Sequence, residues 1–348
     1  MNKRSGNVDF VRFIAALLIM GHHIYNTGVK VEEYAFYDGR IYIELFLFIT
    51  GFYTAKHYSS IAAENRPKDA FQYSIKKFIP MLPYASIVTL FGWVTKGILG
   101  IINMGWTWKH FLVNFMGNFS LDLLLISDAI SQPLIVPLWY LSAMIIVFPL
   151  FALFVQIKNR YTKIIISLFC SLMYYGWIGL TRGFPDDMLR VFVGMMLGVV
   201  IYEFSVIFKE QITAKPKWLL TVIEVLVFAY PIFCSYHNWC YKGLTSEFIC
   251  ELCFFINMLL CLPGFTYSTM IRGKFFNYLG KLSMPLFILH WYVGTLVCID
   301  GDKYGWDKGL RITIYYAVSL IITALLMFII ERCKGWKKIV KKEINLID

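Results

Sequence analysis

The chain has 348 residues, of which 58% are hydrophobic and 16% are charged. Soluble domains carry about 25% charged residues, so this composition excludes an ordinary soluble protein. The formal net charge of +11 does not indicate a nucleic-acid partner, because the lysines and arginines cluster in particular loops, as membrane topology demands.

Apolar runs close to the roughly 20-residue length of a membrane-spanning helix recur along the whole chain. They predict an all-α, polytopic membrane protein with about ten transmembrane helices. The predicted spans are Val8–Thr27, Ile41–Ala55, Phe78–Leu99, Pro137–Val155, Ile164–Leu180, Leu189–Phe208, Trp218–Tyr236, Phe248–Pro263, Phe276–Cys298 and Leu310–Ile330. Residues 105–132 are apolar but broken by polar side chains, which favours an interfacial or re-entrant segment. No internal repeat or soluble domain is visible, so residues 1–348 are predicted to form one membrane domain.

Basic residues gather in the even-numbered loops and at both termini, whereas the odd-numbered loops hold most of the loop acids. Cytoplasmic loops carry an excess of lysine and arginine, so both termini are predicted to lie in the cytoplasm, with the chain in the plasma or inner cell membrane. The basic tail from Lys334 to Lys342 is predicted to bind anionic membrane lipids. Arg12 then lies toward the cytoplasmic face of the first span, and His23 lies near the outer face.

The first span is unusual because it carries Arg12, His22 and His23 inside an apolar run. Ionisable side chains are costly within a bilayer and mark functional sites. At about 100° per residue, Arg12 and His23 are separated by about 20° modulo a full turn, so a continuous α-helix would project both from one face. His22 would point elsewhere and is predicted to hydrogen bond to another helix.

His23 is the leading candidate for a general base, because an imidazole titrates near working pH and can accept a proton from an attacking hydroxyl. The alternative interpretation is an ordinary histidine at the membrane interface. Arg12 could orient polar groups, contact an anionic ligand, or pair with Asp9 one turn earlier. His290, in a later apolar run, is predicted to be a satisfied core polar group.

Other polar residues also have more than one interpretation. Glu44 could be a functional acid or an interfacial side chain, and Arg190, close to two aspartates, is predicted to form a solvated ion pair. Trp139 could belong to an interfacial aromatic belt. No metal site is predicted, because His22 and His23 face different directions and no acidic cluster stands at ligand spacing.

Five segments, in order, resemble the acyltransferase 3 family of integral membrane acyltransferases. The opening NVDFVRFIAALLIMGHH resembles the family's Asn-x-Asp-x-x-Arg followed by a histidine; the matching positions are Asn7, Asp9, Arg12 and His23. IELFLFITGF resembles the second-helix FFxxSGF motif, with Thr50 in place of the serine.

The remaining three segments lie further along the chain. KKFIPMLPYA resembles the basic-x-x-Pro start of the third helix, PLWYLSAMIIVFPLF the Trp-x-Leu-Ser segment, and LGKLSMPLFILH the late Gly-x-x-Ser…Leu-His element. Two positions depart from the family pattern. The usual Arg-x-x-Arg pair is replaced by Ser74 and Lys77, which makes a bidentate phosphate clamp less favourable. The acid that often follows Trp-x-Leu-Ser is missing, since Ala143 and Met144 stand there.

The resemblance implies acyl transfer, usually of acetyl from cytoplasmic acyl-CoA, to a hydroxyl of a glycan, lipid or other surface acceptor. Acyl-CoA would be a co-substrate, with no permanently bound cofactor, and the acyl group would pass directly or through an acyl-histidine. The resemblance implies catalytic roles for His23 and Arg12, supporting roles for Asp9, Asn7, His290, Ser142 and Trp139, and phosphate contacts for Lys76 and Lys77.

Two other functions fit the same sequence. A multi-span transporter of a small solute is one, because ionisable residues within the membrane also mark transport paths. A non-catalytic membrane partner in surface assembly is the other, because a fold does not fix a function. The sequence leaves open whether the protein works as a homodimer.

Overall fold

The computed structural model describes residues 5–30, 39–61, 66–114, 117, 120–124, 126, 135–178, 186–237 and 244–333. Within these residues the protein is helical and contains no β-strand, which confirms the predicted all-α class. The basic tail after residue 333 lies outside the described residues, as do residues 115–116, 118–119, 125 and 127–132 of the predicted interfacial segment. The described part of that segment, within residues 105–126, forms only short helices.

Fourteen α-helices are described. They are α1 (Gly6–His22), α2 (Tyr42–Ser59), α3 (Arg66–Phe78), α4 (Leu82–Met104), α5 (Trp108–Asn114), α6 (Ser120–Leu123), α7 (Leu138–Val155), α8 (Arg160–Met173), α9 (Asp186–Ile207), α10 (Lys209–Thr213), α11 (Lys217–Tyr236), α12 (Leu244–Leu260), α13 (Lys274–Tyr304) and α14 (Lys308–Arg332). A 3-10 turn, His23–Thr27, follows α1 directly.

Seven helical stretches in the described part of the chain are long and apolar enough to cross a membrane. They are Gly6–Thr27, Asp69–Ile102, Leu138–Val155, Asp186–Ile207, Lys217–Tyr236, Lys274–Tyr304 and Lys308–Arg332. The other three predicted spans correspond to α2, which has polar residues near both ends, and to α8 and the apolar part of α12, which are shorter than the roughly 20 residues that a span requires. Seven helices therefore qualify by length and composition, and the count of ten stays a prediction.

Helix α1 runs parallel to α13 and packs closely against it. Gly280 of α13 leaves room for Asp9, since a Cβ atom at that glycine would lie 2.2 Å from the Asp9 Oδ1 atom. Further along both helices, the rings of His23 and His290 are stacked with centroids 5.0 Å apart. Contacts therefore advance in the same direction along the two helices, and the end of α1 meets the middle of α13.

Helix α2 runs antiparallel to α1. The backbone at Gly39, just before α2, approaches the Leu18 carbonyl so closely that a Cβ atom there would lie 2.5 Å from its oxygen. One to two turns into α2, the Phe46 ring lies 5.9 Å from the guanidinium carbon of Arg12. We call the end of the bundle that holds the start of α1 the Gly6 side, and the opposite end the His23 side; α2 ends on the Gly6 side.

Helix α2 is also clamped against α9 through glycines. A Cβ atom at Gly51 would lie 1.9 Å from the Met195 carbonyl oxygen, and one at Gly198 would lie 2.3 Å from that of Phe48. Small residues let helix backbones approach in this way when apolar burial alone cannot drive helices together in lipid. The close approach explains why most side chains of α2 are buried, including Glu44.

Candidate active site

The site begins where α1 changes its winding. The α-helix ends at His22, and His23 opens the 3-10 turn that continues to Thr27. The Tyr315 hydroxyl of α14 donates to the Met20 carbonyl at 3.2 Å, close to this change. The α-helical angle of 100° per residue therefore applies only as far as His22. The predicted common face of Arg12 and His23 assumed a continuous α-helix, and the helix ends one residue before His23.

His23 is hydrogen bonded to His290 across 267 residues of sequence. The Nδ1 atom of His23 lies 2.7 Å from the Nε2 atom of His290, and the two rings are 10° from parallel. The other nitrogen of His290, Nδ1, lies 3.1 Å from the Leu286 carbonyl oxygen on its own helix. These contacts make His290 the central member of a three-part chain.

The direction of that chain follows from donor and acceptor chemistry. A carbonyl oxygen only accepts hydrogen bonds, so His290 Nδ1 carries the hydrogen that it donates to Leu286. Neutral His290 then accepts at Nε2, so the hydrogen between the rings belongs to His23 Nδ1. Neutral His23 consequently holds its lone pair on Nε2, which is the atom of a general base.

Burial separates the roles of the two histidines. His290 is fully buried at 0% exposure, whereas His23 retains 8%. Aromatic rings surround His23, with Trp291 at 5.2 Å and the exposed Tyr25 at 5.9 Å between ring centroids. His23 is the member of the pair that a reactant can reach, and His290 holds it from behind.

Two further residues fix the turn that carries His23. Asn26 donates from Nδ2 to the Trp291 carbonyl at 2.6 Å. Arg311 donates from Nη1 to the Thr27 carbonyl at 3.1 Å. Gly28 follows with a φ of +81°, a left-handed conformation that glycine adopts without strain. The turn is thus tied to both α13 and α14.

Arg12 lies one layer closer to the Gly6 side. Its Nη1 atom is 3.9 Å from Asp9 Oδ1, a loose ion pair, and its guanidinium lies over Phe46. Lys77 of α3 is close enough to act on Arg12 electrostatically. The Lys77 ammonium lies 5.1 Å from the ring centroid of Phe148, which places it inside the bundle. Two basic side chains therefore lie close together on this side.

A tight apolar cluster, with no gap large enough for a water molecule, lies between Arg12 and the histidines. Its members are Ile43, Phe46, Tyr140, Met284 and Phe287. The Phe287 ring is 6.2 Å from the Phe46 ring and 6.1 Å from the His290 ring. The Phe46 ring is the one that the Arg12 guanidinium lies over. Arg12 contacts α2 and His23 contacts α13. The ring of Phe287 touches both partners, and so connects the surroundings of Arg12 with those of His23.

Asn7, a predicted supporting residue, belongs to a different network. Its Nδ2 donates to the Cys261 carbonyl at 2.8 Å and to the Ser268 hydroxyl at 3.1 Å. Ser268 in turn donates to the buried carboxylate of Glu224. Asn7 therefore ties the start of α1 to the segment between α12 and α13, on the Gly6 side.

Trp139 belongs to a third group, a buried ion pair. Arg190 of α9 donates to Glu44 of α2, Tyr175 donates to the same carboxylate, and the Trp139 ring lies 5.6 Å from the guanidinium carbon. Both charged groups are buried, so the predicted solvated ion pair for Arg190 is wrong, because its partner is a carboxylate in the core. Ser142 is also fully buried, on α7, and Lys76 lies in the last turn of α3.

The sequence did not single out Phe46, Tyr140 or Phe287. All three stand in the motif segments that resemble the family, but an aromatic side chain in an apolar run gives no sign of its long-range contacts. Only the crossing of α2, α7 and α13 brings them together.

These observations describe a helical protein with helices long and apolar enough to cross a membrane and an oriented histidine pair in its core. The family model for the acyltransferase domain of the acyltransferase 3 family matches residues 5–332, which include α1 through α14 and both histidines of the pair. No curated protein and no solved structure matches the chain. The chain belongs to the acyltransferase 3 family, and membership supports a membrane acyltransferase in general.

Proposed function

We propose that the protein transfers an acyl group, most simply acetyl, from cytoplasmic acyl-CoA to a hydroxyl of an exported glycan or lipid-linked acceptor at the cell membrane. Family membership supports acyl transfer. The single observation that carries the proposal is the hydrogen bond between His23 and His290, because it gives His23 a lone pair of fixed direction in an apolar setting.

The reaction needs one proton acceptor and no redox partner. The acceptor's hydroxyl oxygen attacks the thioester carbonyl carbon while its proton passes to Nε2 of His23. The tetrahedral intermediate then loses the thiolate as the carbon–sulfur bond breaks, and His23 returns the proton to the sulfur. The products are an ester on the acceptor and free CoA thiol. His290 accepts from His23 Nδ1 throughout and stabilises the transient imidazolium.

The donor enters from the Gly6 side in this proposal, which we assign to the cytoplasm. Arg12 supplies positive charge there, which attracts an anionic donor. The apolar side chains of Phe46 and Phe287 are suited to contact the uncharged thioester arm. The acceptor approaches from the His23 side, where Tyr25 is exposed.

An acyl-histidine is the competing chemical route, in which Nε2 itself attacks the thioester. Incubating the purified protein with radiolabelled acetyl-CoA in the absence of acceptor separates the two. Label retained on the protein, or exchange of free CoA into acetyl-CoA, identifies the covalent route. Direct transfer gives neither.

His23→Gln, with His22→Gln as the matched control, tests the function. General-base catalysis contributes about 10²–10⁴-fold, so we expect acetyl-CoA-dependent thiol release to fall by that factor in His23→Gln and to persist in His22→Gln. Undiminished activity of His23→Gln at normal protein level would refute the assignment. Solute accumulation without thioester consumption would favour a transporter instead.

The acceptor class can be read from cells that lack the protein. We expect surface glycan or lipid from such cells to lose the mass of one acetyl per modified unit, with restoration by the wild-type chain but not by His23→Gln. Mass spectrometry of the isolated surface material makes the comparison. An unchanged mass in every surface fraction would contradict an exported acceptor.

A further inference from the structure

A polar cavity of about 230 Å³ opens on the Gly6 side of the bundle, apart from the histidine pair. It lies where α2, α7 and α9 end and α8 begins. Its polar lining comes from Ser59, Lys158, Arg160, Lys163, Tyr202 and Glu203. This is the end of α2 opposite Gly39, so the cavity faces the side that we assign to the cytoplasm.

The cavity carries excess positive charge. Glu203 is buried, with 3% exposure, and accepts from Arg160 Nε at 2.9 Å and from Lys163 Nζ. Lys158, on the exposed rim, adds a third cation. One carboxylate among three cations leaves two positive charges uncompensated, which matches the charge of a phosphate monoester dianion.

The buried carboxylate also arranges the cations in advance. Because Glu203 fixes both Arg160 and Lys163, these long side chains lose little additional conformational freedom when an anion binds. The Tyr202 hydroxyl, 2.6 Å from Ser59 Oγ, adds polar groups at the rim. A dianion on the cavity floor would thus meet a guanidinium and an ammonium that are already held in place.

We propose that this cavity binds a phosphate monoester dianion. The proposal rests on the proposed function in one respect, since the nucleotide end of acyl-CoA carries such a group and enters from this side. The anionic headgroup of a membrane lipid carries the same chemistry. The assignment moves the main phosphate contacts from Lys76 and Lys77 to Lys158, Arg160 and Lys163.

A chain of packed side chains links the cavity to the candidate active site. The Tyr58 ring, which lines it, lies 5.8 Å from that of Tyr73, and the Tyr73 ring lies 5.7 Å from the ammonium of Lys77. Ser59 and Phe46 are thirteen residues apart on α2, or about 20 Å at 1.5 Å per residue. An extended pantetheine arm is long enough to span this distance from a phosphate bound in the cavity.

Adenosine 3′,5′-bisphosphate is the probe, titrated onto the purified full-length protein and followed by calorimetry. We expect it to bind, to compete with acetyl-CoA, and to bind about tenfold more weakly to Lys158→Gln, the loss of one charge-assisted contact. Lys209→Gln, which removes an exposed cation from α10, is the matched control and should bind normally. Lys158 is exposed, so its substitution leaves the core intact.

The double variant Lys163→Met with Glu203→Gln removes one cation and the buried carboxylate together. The net charge of the cavity stays the same, but one ammonium donor is lost and Arg160 is no longer held by a carboxylate, so we expect the bisphosphate to bind more weakly. Both variants should raise KM for acetyl-CoA while leaving KM for the dephospho form and kcat unchanged. A rise in KM for acetyl-CoA without a rise in KM for the dephospho form identifies the 3′-phosphate as the group bound in the cavity. Binding to phosphatidate-containing vesicles that depends on the same residues, without bisphosphate binding, assigns the site to a lipid headgroup.

Binding of neither probe at these residues overturns the proposal. The test of phosphate binding and the test of acyl transfer can fail independently of each other. His23→Gln tests transfer without altering the cavity, and the cavity variants test phosphate binding without altering His23. Loss of transfer in His23→Gln together with absent phosphate binding would leave acyl transfer standing and remove this site alone.

Discussion

Arg311 donates from Nη1 to the carbonyl oxygen of Thr27 at 3.1 Å and so secures the far end of the turn that begins at His23. The same Nη1 lies 2.8 Å from Asp302 of α13, and Nε donates to the Trp306 carbonyl at 3.0 Å. One side chain joins the turn to α13 and α14. The position of the candidate base therefore depends on a residue far from it in sequence.

Replacing Arg311 with alanine should slow transfer without weakening donor binding. A hydrogen bond from a charged group contributes about 1.5–3 kcal/mol, and its loss frees the His23 turn, so we expect kcat to fall by at least about tenfold. KM for acetyl-CoA should stay the same. Thiol release from membranes matched for protein content measures both, with Arg332→Ala at the opposite end of α14 as control. An unaltered kcat would mean that the turn is held without Arg311.

The fully buried His290 should act on the rate only through His23. We expect His290→Leu to lower kcat by about 10²-fold, because His23 then lacks the acceptor that orients it. His290→Gln should recover part of the loss, since its amide oxygen can accept from His23 Nδ1. KM should not change, because His290 does not touch substrate. A glutamine variant no better than leucine, or an effect confined to KM, would contradict the positioning role.

The ion pair between Glu44 and Arg190 should behave as a coupled unit in unfolding. Removing one partner leaves the other charge buried, which costs about 3–5 kcal/mol, so Glu44→Gln and Arg190→Gln should each lower the unfolding temperature markedly. The double variant should lose less than the two single losses combined. Thermal unfolding of detergent-purified protein gives all three values. Strict additivity would mean that the two side chains are not coupled.

Asn7 should contribute to stability and not to chemistry. Asn7→Ala removes the bonds to Cys261 and Ser268, at roughly 0.5–1.5 kcal/mol for each hydrogen bond, and should lower the unfolding temperature. Activity per folded molecule should remain close to that of the wild type. Active-site titration alongside thermal unfolding separates the two effects. A fall in kcat with an unchanged unfolding temperature would instead support the predicted supporting role of Asn7 in catalysis.

Local sequence patterns are enough to predict the helical class and to single out the first span as unusual. Run length and the clustering of charge are properties of neighbouring residues, so Arg12 and His23 stand out without any structure. The number of spans depends on more than neighbouring residues. Helix α2 is buried among its neighbours and carries polar residues such as Glu44, so its composition does not separate a buried helix from a spanning one.

Long-range partners were out of reach of the sequence. The bond between His23 and His290 requires α1 and α13 to lie parallel, and nothing near either histidine specifies that packing. Arg190 illustrates the same limit. Two aspartates precede it by three and four residues and suggest a local pair, but its buried partner is Glu44, on a helix that comes close because Gly194 lacks a side chain.

The fixed direction of hydrogen bonding through His290 also bears on the membrane potential. Because His290 Nδ1 is committed to the Leu286 carbonyl, a proton accepted at His23 Nε2 cannot move on through His290 unless both rings exchange tautomers. The proton therefore leaves by the nitrogen through which it arrived. His23 can therefore gain and lose a proton inside the membrane without providing a path along which the transmembrane voltage drives protons across it.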